Sequence, residues 1–222
     1  DGRYTIQMQS QIDQRHIDIF STAENQHPVK TSSALGWIDD HVKKGDRFGI
    51  DPWLHTPADV KRIDDTLQRI GAKLVLLDSN PLDAAWGSER PSVPDAPAIV
   101  HPLEYAGVAS ADKLTAITAV MKDKDADILV VTMPEDICWM LNIRGNDVPC
   151  TPFVLSYALV KRDGSVAWFV DPSKATDDVR NWIGSNVSIH PLADISAQVE
   201  NEAASGKSIW VDPASAPFAI EH

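Results

Sequence analysis

The sequence predicts an α/β fold in which mixed sheets are flanked by helices, and three observations predict it. Short β-rich runs at residues 47–50, 73–77 and 127–131 alternate with longer stretches of helical periodicity. The run at 127–131 is almost continuously apolar, as in a strand buried on both faces. Residues 153–160 and 166–170 flank Asp163-Gly164, the signature of an antiparallel hairpin, so the sheets are mixed rather than purely parallel.

Each element has a local reason. Asp1-Gly2-Arg3-Tyr4 reads as a strand-exit turn, with Tyr4, Met8 and Ile12 leading into a helix. Residues 32–43 have amphipathic helical spacing through Trp37, Ile38 and Val42. Thr56-Pro57 opens a helix that carries Val60, Ile63, Leu67 and Ile70 at helical spacing and stops at Gly71. Residues 78–102 are rich in Pro, Ser and Asp, with a brief turn at 82–86, and read as a connection between domains. Ser110 is the expected cap of a helix through Lys122, with Leu114, Ile117 and Met121 on one face. Met133-Pro134 opens a helix to Leu141, and a helix at 193–204 precedes a strand at 208–211. The expected boundary lies near Leu103, giving domains 1–103 and 104–222.

Composition narrows the function classes. At 222 residues and 43% hydrophobic, the chain can bury a substantial core. A net charge of −12 with scattered Lys and Arg argues against nucleic acid as a partner. No apolar run approaches the roughly 18 residues of a membrane span, so no membrane partner is expected. Cys138 and Cys150 form neither a disulfide framework nor a zinc pair, and the cytoplasm is the expected compartment.

Candidate chemistry is sparse. The seven histidines are dispersed, without a His-x-x-x-His or His-Glu-x-x-His pattern. Asp39-Asp40-His41 lies on an amphipathic helix and reads as a solvated face, as do Asp64-Asp65 and Asp177-Asp178. No Gly-x-Ser-x-Gly elbow or phosphate-binding loop occurs, and Cys138 in its apolar helix reads as core. No catalytic residue and no metal ligand is therefore assigned. One constellation stands out: Asn142, Arg144, Asn146 and Asp147 gather polar groups where an apolar helix ends. Folding alone accounts for it if Gly145 takes a left-handed turn and Arg144 pairs with Asp147 or with free helix carbonyls. The functional alternative is that Asn142, Arg144 and Asp147 contact substrate or another domain, Arg144 holding a carboxylate bidentately.

The chain also repeats itself. His27-Pro28, a helix and a strand lead to Asp51-Pro52, and His190-Pro191, a helix and a strand lead to Asp212-Pro213. The two spans are 24 and 22 residues long, which predicts a duplication rather than a solenoid.

The stretch from Trp139 to Asp171, together with the opening Asp1-Gly2-Arg3-Tyr4 and Gly49-Ile50-Asp51-Pro52, resembles aminopeptidase P of the creatinase/prolidase superfamily. The resemblance runs in order along nearly the whole chain. It implies two creatinase N-terminal-like α/β domains, the first incomplete at its start and the second at its end, placed ahead of a catalytic domain that the chain stops short of. By the same resemblance the parent is a Xaa-Pro aminopeptidase with two Mn or Zn ions held by Asp, Asp, His, Glu and Glu. None of those ligands has a matching position here. The implied partners are the parent's own C-terminal catalytic domain, a second subunit in a homodimer, and short proline-containing peptides. The alternative is a catalytically dead binding or scaffold module of the same superfamily.

Overall fold

Ile38, Leu67 and Ala72, buried together, define the small core of the first part of the chain. The computed structural model describes residues 2–21, 30–31 and 33–221. The chain divides into two compact units, Asp1–Asp51 with Ala58–Asp78 and Pro52–Pro57 with Ser79–His222.

In the first unit, α1 spans Gly2–Gln11. The expected strand-exit turn is therefore corrected from Gly2 onward. No proline interrupts the segment, Gly2 stands only at its first position, and the periodicity of Tyr4 and Met8 extends back to the first turn; Asp1 lies outside the described residues. Strands β1 (Phe20–Ser21) and β2 (Lys30–Thr31) pair in parallel, and His27-Pro28 also lies outside the described residues. Helix α2, Ala34–His41, starts after Ser33, whose hydroxyl accepts the Gly36 N–H at 3.0 Å. A right-sized β–α–β unit follows, of β3 (Arg47–Ile50), α3 (Pro57–Ile70) and β4 (Lys73–Leu76). The two strands run parallel, Arg47 opposite Lys73 and Ile50 opposite Leu76. Gly71 ends α3 at φ 83°, as a C-terminal glycine should.

The second unit claims the stretch read as a connection. Asn80 caps α4, Pro81–Trp86, by accepting the Leu82 N–H at 2.9 Å. Strand β5, Ile99–Val100, is followed by α5 (Leu103–Ala106), α6 (Ser110–Asp123), β6 (Ile128–Val131), α7 (Pro134–Leu141) and β7 (Ile143–Arg144). β5 pairs antiparallel with β7, and the Ala98 N–H donates to the Lys174 carbonyl at 2.9 Å. These bonds tie residues 98–101 to the second unit, whose main span starts at Ser79. Ser110 is the first residue of α6 and not its cap, a place taken by Ala109 without a side-chain bond.

Strands β8 (Tyr157–Lys161) and β9 (Val166–Phe169) form the expected hairpin about Gly164, which has φ 88°. The first strand starts four residues later than expected, because residues 147–155 fold back on the turn described below. Sequence reading did not anticipate α8 (Asp177–Ile183), which Thr176 caps, or β10 (Val187–His190). Helix α9 (Ile195–Ala204), β11 (Ile209–Trp210) and α10 (Phe218–Glu221) complete the unit.

The five-stranded sheet has the order β10-β9-β8-β6-β11, with parallel pairs at both edges and antiparallel pairs inside. Alternation along its strands fills both faces. Ala158, Val160, Val166 and Trp168 meet Leu114, Met121, Ile137, Leu141 and Val179 on one side. Ile128, Val130, Leu159 and Phe169 meet Ile195, Val199 and Ile220 on the other. The mixed α/β architecture expected from the sequence is the one observed.

Candidate functional site: the turn after helix α7

Helix α7 ends at Asn142, which adopts the left-handed conformation at φ 52° and ψ 51°. Asparagine tolerates that region as few other side chains do. The expectation for Gly145 is thus corrected: it lacks positive φ, and its glycine identity answers to space. A Cβ there would lie 2.5 Å from Val154 Cγ2 and 2.8 Å from the Phe153 carbonyl oxygen. The returning chain passes directly over it, with the Gly145 N–H donating to the Pro152 carbonyl and the Asp147 N–H to that of Phe153.

Asn142 is also a junction. Its amide nitrogen donates to the Val108 carbonyl at 2.9 Å, and its Oδ1 accepts from Lys113 Nζ at 2.6 Å. Lys113, only 4% exposed, gives a second bond to the Trp139 carbonyl at 2.8 Å and lies 4.6 Å from the Trp139 ring centroid. Every acceptor of this buried ammonium is neutral. Its pKa falls below the ordinary lysine value, first because it is buried and then because of the Arg144 charge.

Asp147 is spent on the fold. One carboxylate oxygen accepts from Lys174 Nζ and from the Leu155 N–H, both at 2.7 Å. The Lys174 and Asp147 side chains are 2% and 0% exposed, and the other oxygen, Oδ1, is buried without a partner. The bond to Leu155 pins the chain ahead of β8.

Arg144 bonds backbone carbonyls, as one of its two expected structural roles had it, but the helix carbonyl it reaches is not a free one. Its Nη1 donates to the carbonyls of Cys138, at 3.2 Å, and Ile143, at 2.8 Å; it forms no ion pair with Asp147. The guanidinium thereby adds a second bond to a carbonyl in the last turn of α7 that already accepts the Asn142 N–H. On the facing strand, the His101 N–H donates to the Asn142 carbonyl. Burial, then Arg144 and Lys113, hold the His101 ring below its ordinary 6.5. Cys138 is buried, its sulfur accepting the Val154 N–H at 3.4 Å, and burial raises its thiol pKa, against its use as a nucleophile.

Of the residues singled out from sequence, Asn142, Arg144 and Asp147 therefore share one turn but serve three different partners. Lys113 and Lys174 were missed. Lys113 carries a faint signal, since it stands four residues before Ile117 on the apolar side of its helix. Lys174 carries none. Asp39 meets Arg69 in an exposed pair at 2.9 Å, and His41 bonds the Trp37 carbonyl and stacks on its ring. Among the described residues no three His, Cys, Asp or Glu side chains converge as metal ligands would. The two-ion site implied by the family resemblance thus has no donor set among them. Among the described residues no helix is long and apolar enough to cross a membrane.

A three-layer unit built on a mixed sheet, with a buried polar turn leading into its hairpin, defines a class that sequence comparison names. Residues 89–222 match the creatinase/prolidase N-terminal domain, and the chain belongs to that family. Its relatives include a probable Xaa-Pro aminopeptidase P of Ajellomyces capsulatus (strain G186AR), 30% identical over 94% of this chain and 33% of that protein. Another, from Sordaria macrospora, is 34% identical over 94% of this chain and 33% of its own length. Among solved structures, the X-prolyl aminopeptidase of Caenorhabditis elegans, described as a cytosolic enzyme with a di-nuclear active site, superposes with a TM-score of 0.89. It is 28% identical and is matched over 99% of this chain and 36% of its own. The chain thus spans about one third of the length of the aminopeptidases it matches.

Proposed function

We propose that this chain is the non-catalytic N-terminal region of a cytoplasmic Xaa-Pro aminopeptidase, an enzyme that removes the residue preceding proline at a peptide's N-terminus. The single observation that carries the reading is the pattern of coverage: nearly all of this chain is matched, but only about a third of each relative. The chemistry then belongs to a C-terminal domain of the parent, with two metal ions, manganese or zinc, that these residues do not hold. The work of this region is to wall the active-site mouth, admit only short peptides and supply contacts to the catalytic domain and to a second subunit. Its two α/β units are two creatinase-like domains, and the turn carrying Asn142, Arg144 and Asp147 is a contact surface.

The test is release of the first residue from an Arg-Pro-Pro peptide, with Mn²⁺ added, by this chain and by the longer parent. An active parent beside an inert chain is expected. Turnover by the chain itself would overturn the assignment, and an inert parent would favour the scaffold alternative.

A further inference from the structure

Two cationic side chains, Arg144 and Lys113, and the His101 ring gather at one turn of the second unit, and none of the three pairs with a carboxylate. β5 and β7 bring His101 beside Arg144, and Asn142 brings Lys113 to the same turn. Among the described residues, none of the three makes an ion pair, in a chain whose net charge is −12. Lys113 is saturated by two oxygens and a ring face. Arg144 is not. Both its hydrogen bonds leave from Nη1, so Nε and Nη2 have no hydrogen-bond partner among the described residues. Those two groups form one edge of the guanidinium, spaced to meet the two oxygens of a carboxylate.

The surroundings of that edge are apolar. Ile99, opposite Arg144 in the strand pair, is 57% exposed, and Trp139, against Lys113, is 51% exposed. Tyr105, whose ring lies 6.0 Å from that of His101, is 72% exposed. A free small anion would leave these side chains wet, whereas a protein surface would cover them. Overall negative charge repels acidic partners, so a local positive site inside an apolar rim selects for one placed carboxylate.

We infer that Arg144 and His101 form the docking site for a single Asp or Glu side chain presented on an apolar protein surface, with Lys113 as a fixed background charge. This deepens the contact role proposed above for the turn and rests on it. The partner surface is in the parent enzyme itself, where the site is filled.

The experiment is NMR observation of the Arg144 Nε–H and the His101 ring in the isotopically labelled chain, titrated with sodium acetate and, at matched ionic strength, sodium chloride. A saturable shift of both signals with acetate alone is expected. Arg144→Lys, which keeps the charge but loses the edge, should weaken acetate binding about tenfold or more, the range of a lost charge-assisted bond. Unfolding curves identify a variant that has lost its fold, and His101→Gln, which leaves the Arg144 edge intact, then supplies the test through the Arg144 signal, with weaker but still saturable binding expected. Equal, unsaturated drift in both salts overturns the site. Arg-Pro-Pro with a free C-terminus and its amide should bind no better than acetate. If the free acid binds about tenfold more tightly and the amide does not, the site takes the substrate's carboxylate and the docking inference is overturned. In the parent protein the acetate response at His101 should vanish, and its persistence there would also overturn docking. Because no turnover is read, an inactive parent beside a saturable site removes the peptidase reading alone.

Discussion

The first unit keeps its described ion pairs in water, whereas the second, beside exposed pairs such as Arg90 with Asp83, also buries charge. In the first, Arg69 with Asp39 and Lys61 with Asp65 have side chains 40–74% exposed. In the second, Lys174 and Asp147 are sealed from solvent, and Lys113 is buried against neutral acceptors. The same chemical groups therefore carry different energetic weight. An exposed pair gains little, because water screens it and two long side chains must be ordered. A buried pair has already given up its hydration, so each partner depends on the other. Charge on the first unit is a solvated surface; charge at the turn of the second is structure.

The largest test of that difference removes one buried partner. Lys174→Met leaves the Asp147 carboxylate buried, with the Leu155 N–H as its remaining partner, and should cost about 3–5 kcal/mol in urea unfolding. Pairing it with Asp147→Leu should recover most of the loss. If the single variant costs no more than a surface substitution, the contrast between the units fails. Next in size is Asn142→Ala, which removes the side-chain acceptor of a buried ammonium at a left-handed position. A loss of about 1.5–3 kcal/mol is expected from the charged hydrogen bond alone. Gly145→Ala should fall in a similar range, about 1–3 kcal/mol, because Phe153 backbone and the Val154 side chain occupy the space of the new methyl group.

These residues also mark how far the sequence could be read. Helical spacing located α3 and α7 to the residue, since Pro at each start and an apolar stripe are local signals. The turn after α7 was legible as a place, through the density of Asn, Arg, Gly and Asp. Its wiring was not. Asp147 is paired with a lysine 27 residues away and Asn142 with one 29 residues away, and no local pattern records such distant partners. Gly145 was misread for a related reason: its constraint comes from residues 153 and 154 folding back, not from its own dihedral angles. The stretch before β5 looked like a linker because its strand is two residues long and its partner lies over forty residues on. Helix α8 hides behind the Asp177-Asp178 pair that reads simply as solvated surface.

Smaller effects sharpen the comparison from the other side. Arg69→Ala, which breaks the exposed pair with Asp39, should change stability by at most about 1 kcal/mol, and by less in high salt. A loss of several kcal/mol would mean that this pair is structural after all.

The smallest effect is a pH dependence at His101. Its folded pKa lies below 6.5 because of burial, Arg144 and Lys113, and its only ring neighbour described is Tyr105. As pH falls through 6.5 the unfolded chain takes up this proton first, so the unfolded state is favoured until the folded ring is also protonated. Stability contributed by His101 should therefore be fully present above 6.5 and decline from there to the lowered folded value. His101→Gln should flatten that part of the pH–stability curve. Arg144→Gln should raise the pKa of the ring, read by NMR, since it deletes one of the two charges that oppose protonation. If the pKa were unmoved by Arg144→Gln, burial alone would explain the shift. The three side chains would then be neighbours in the fold without acting as one field.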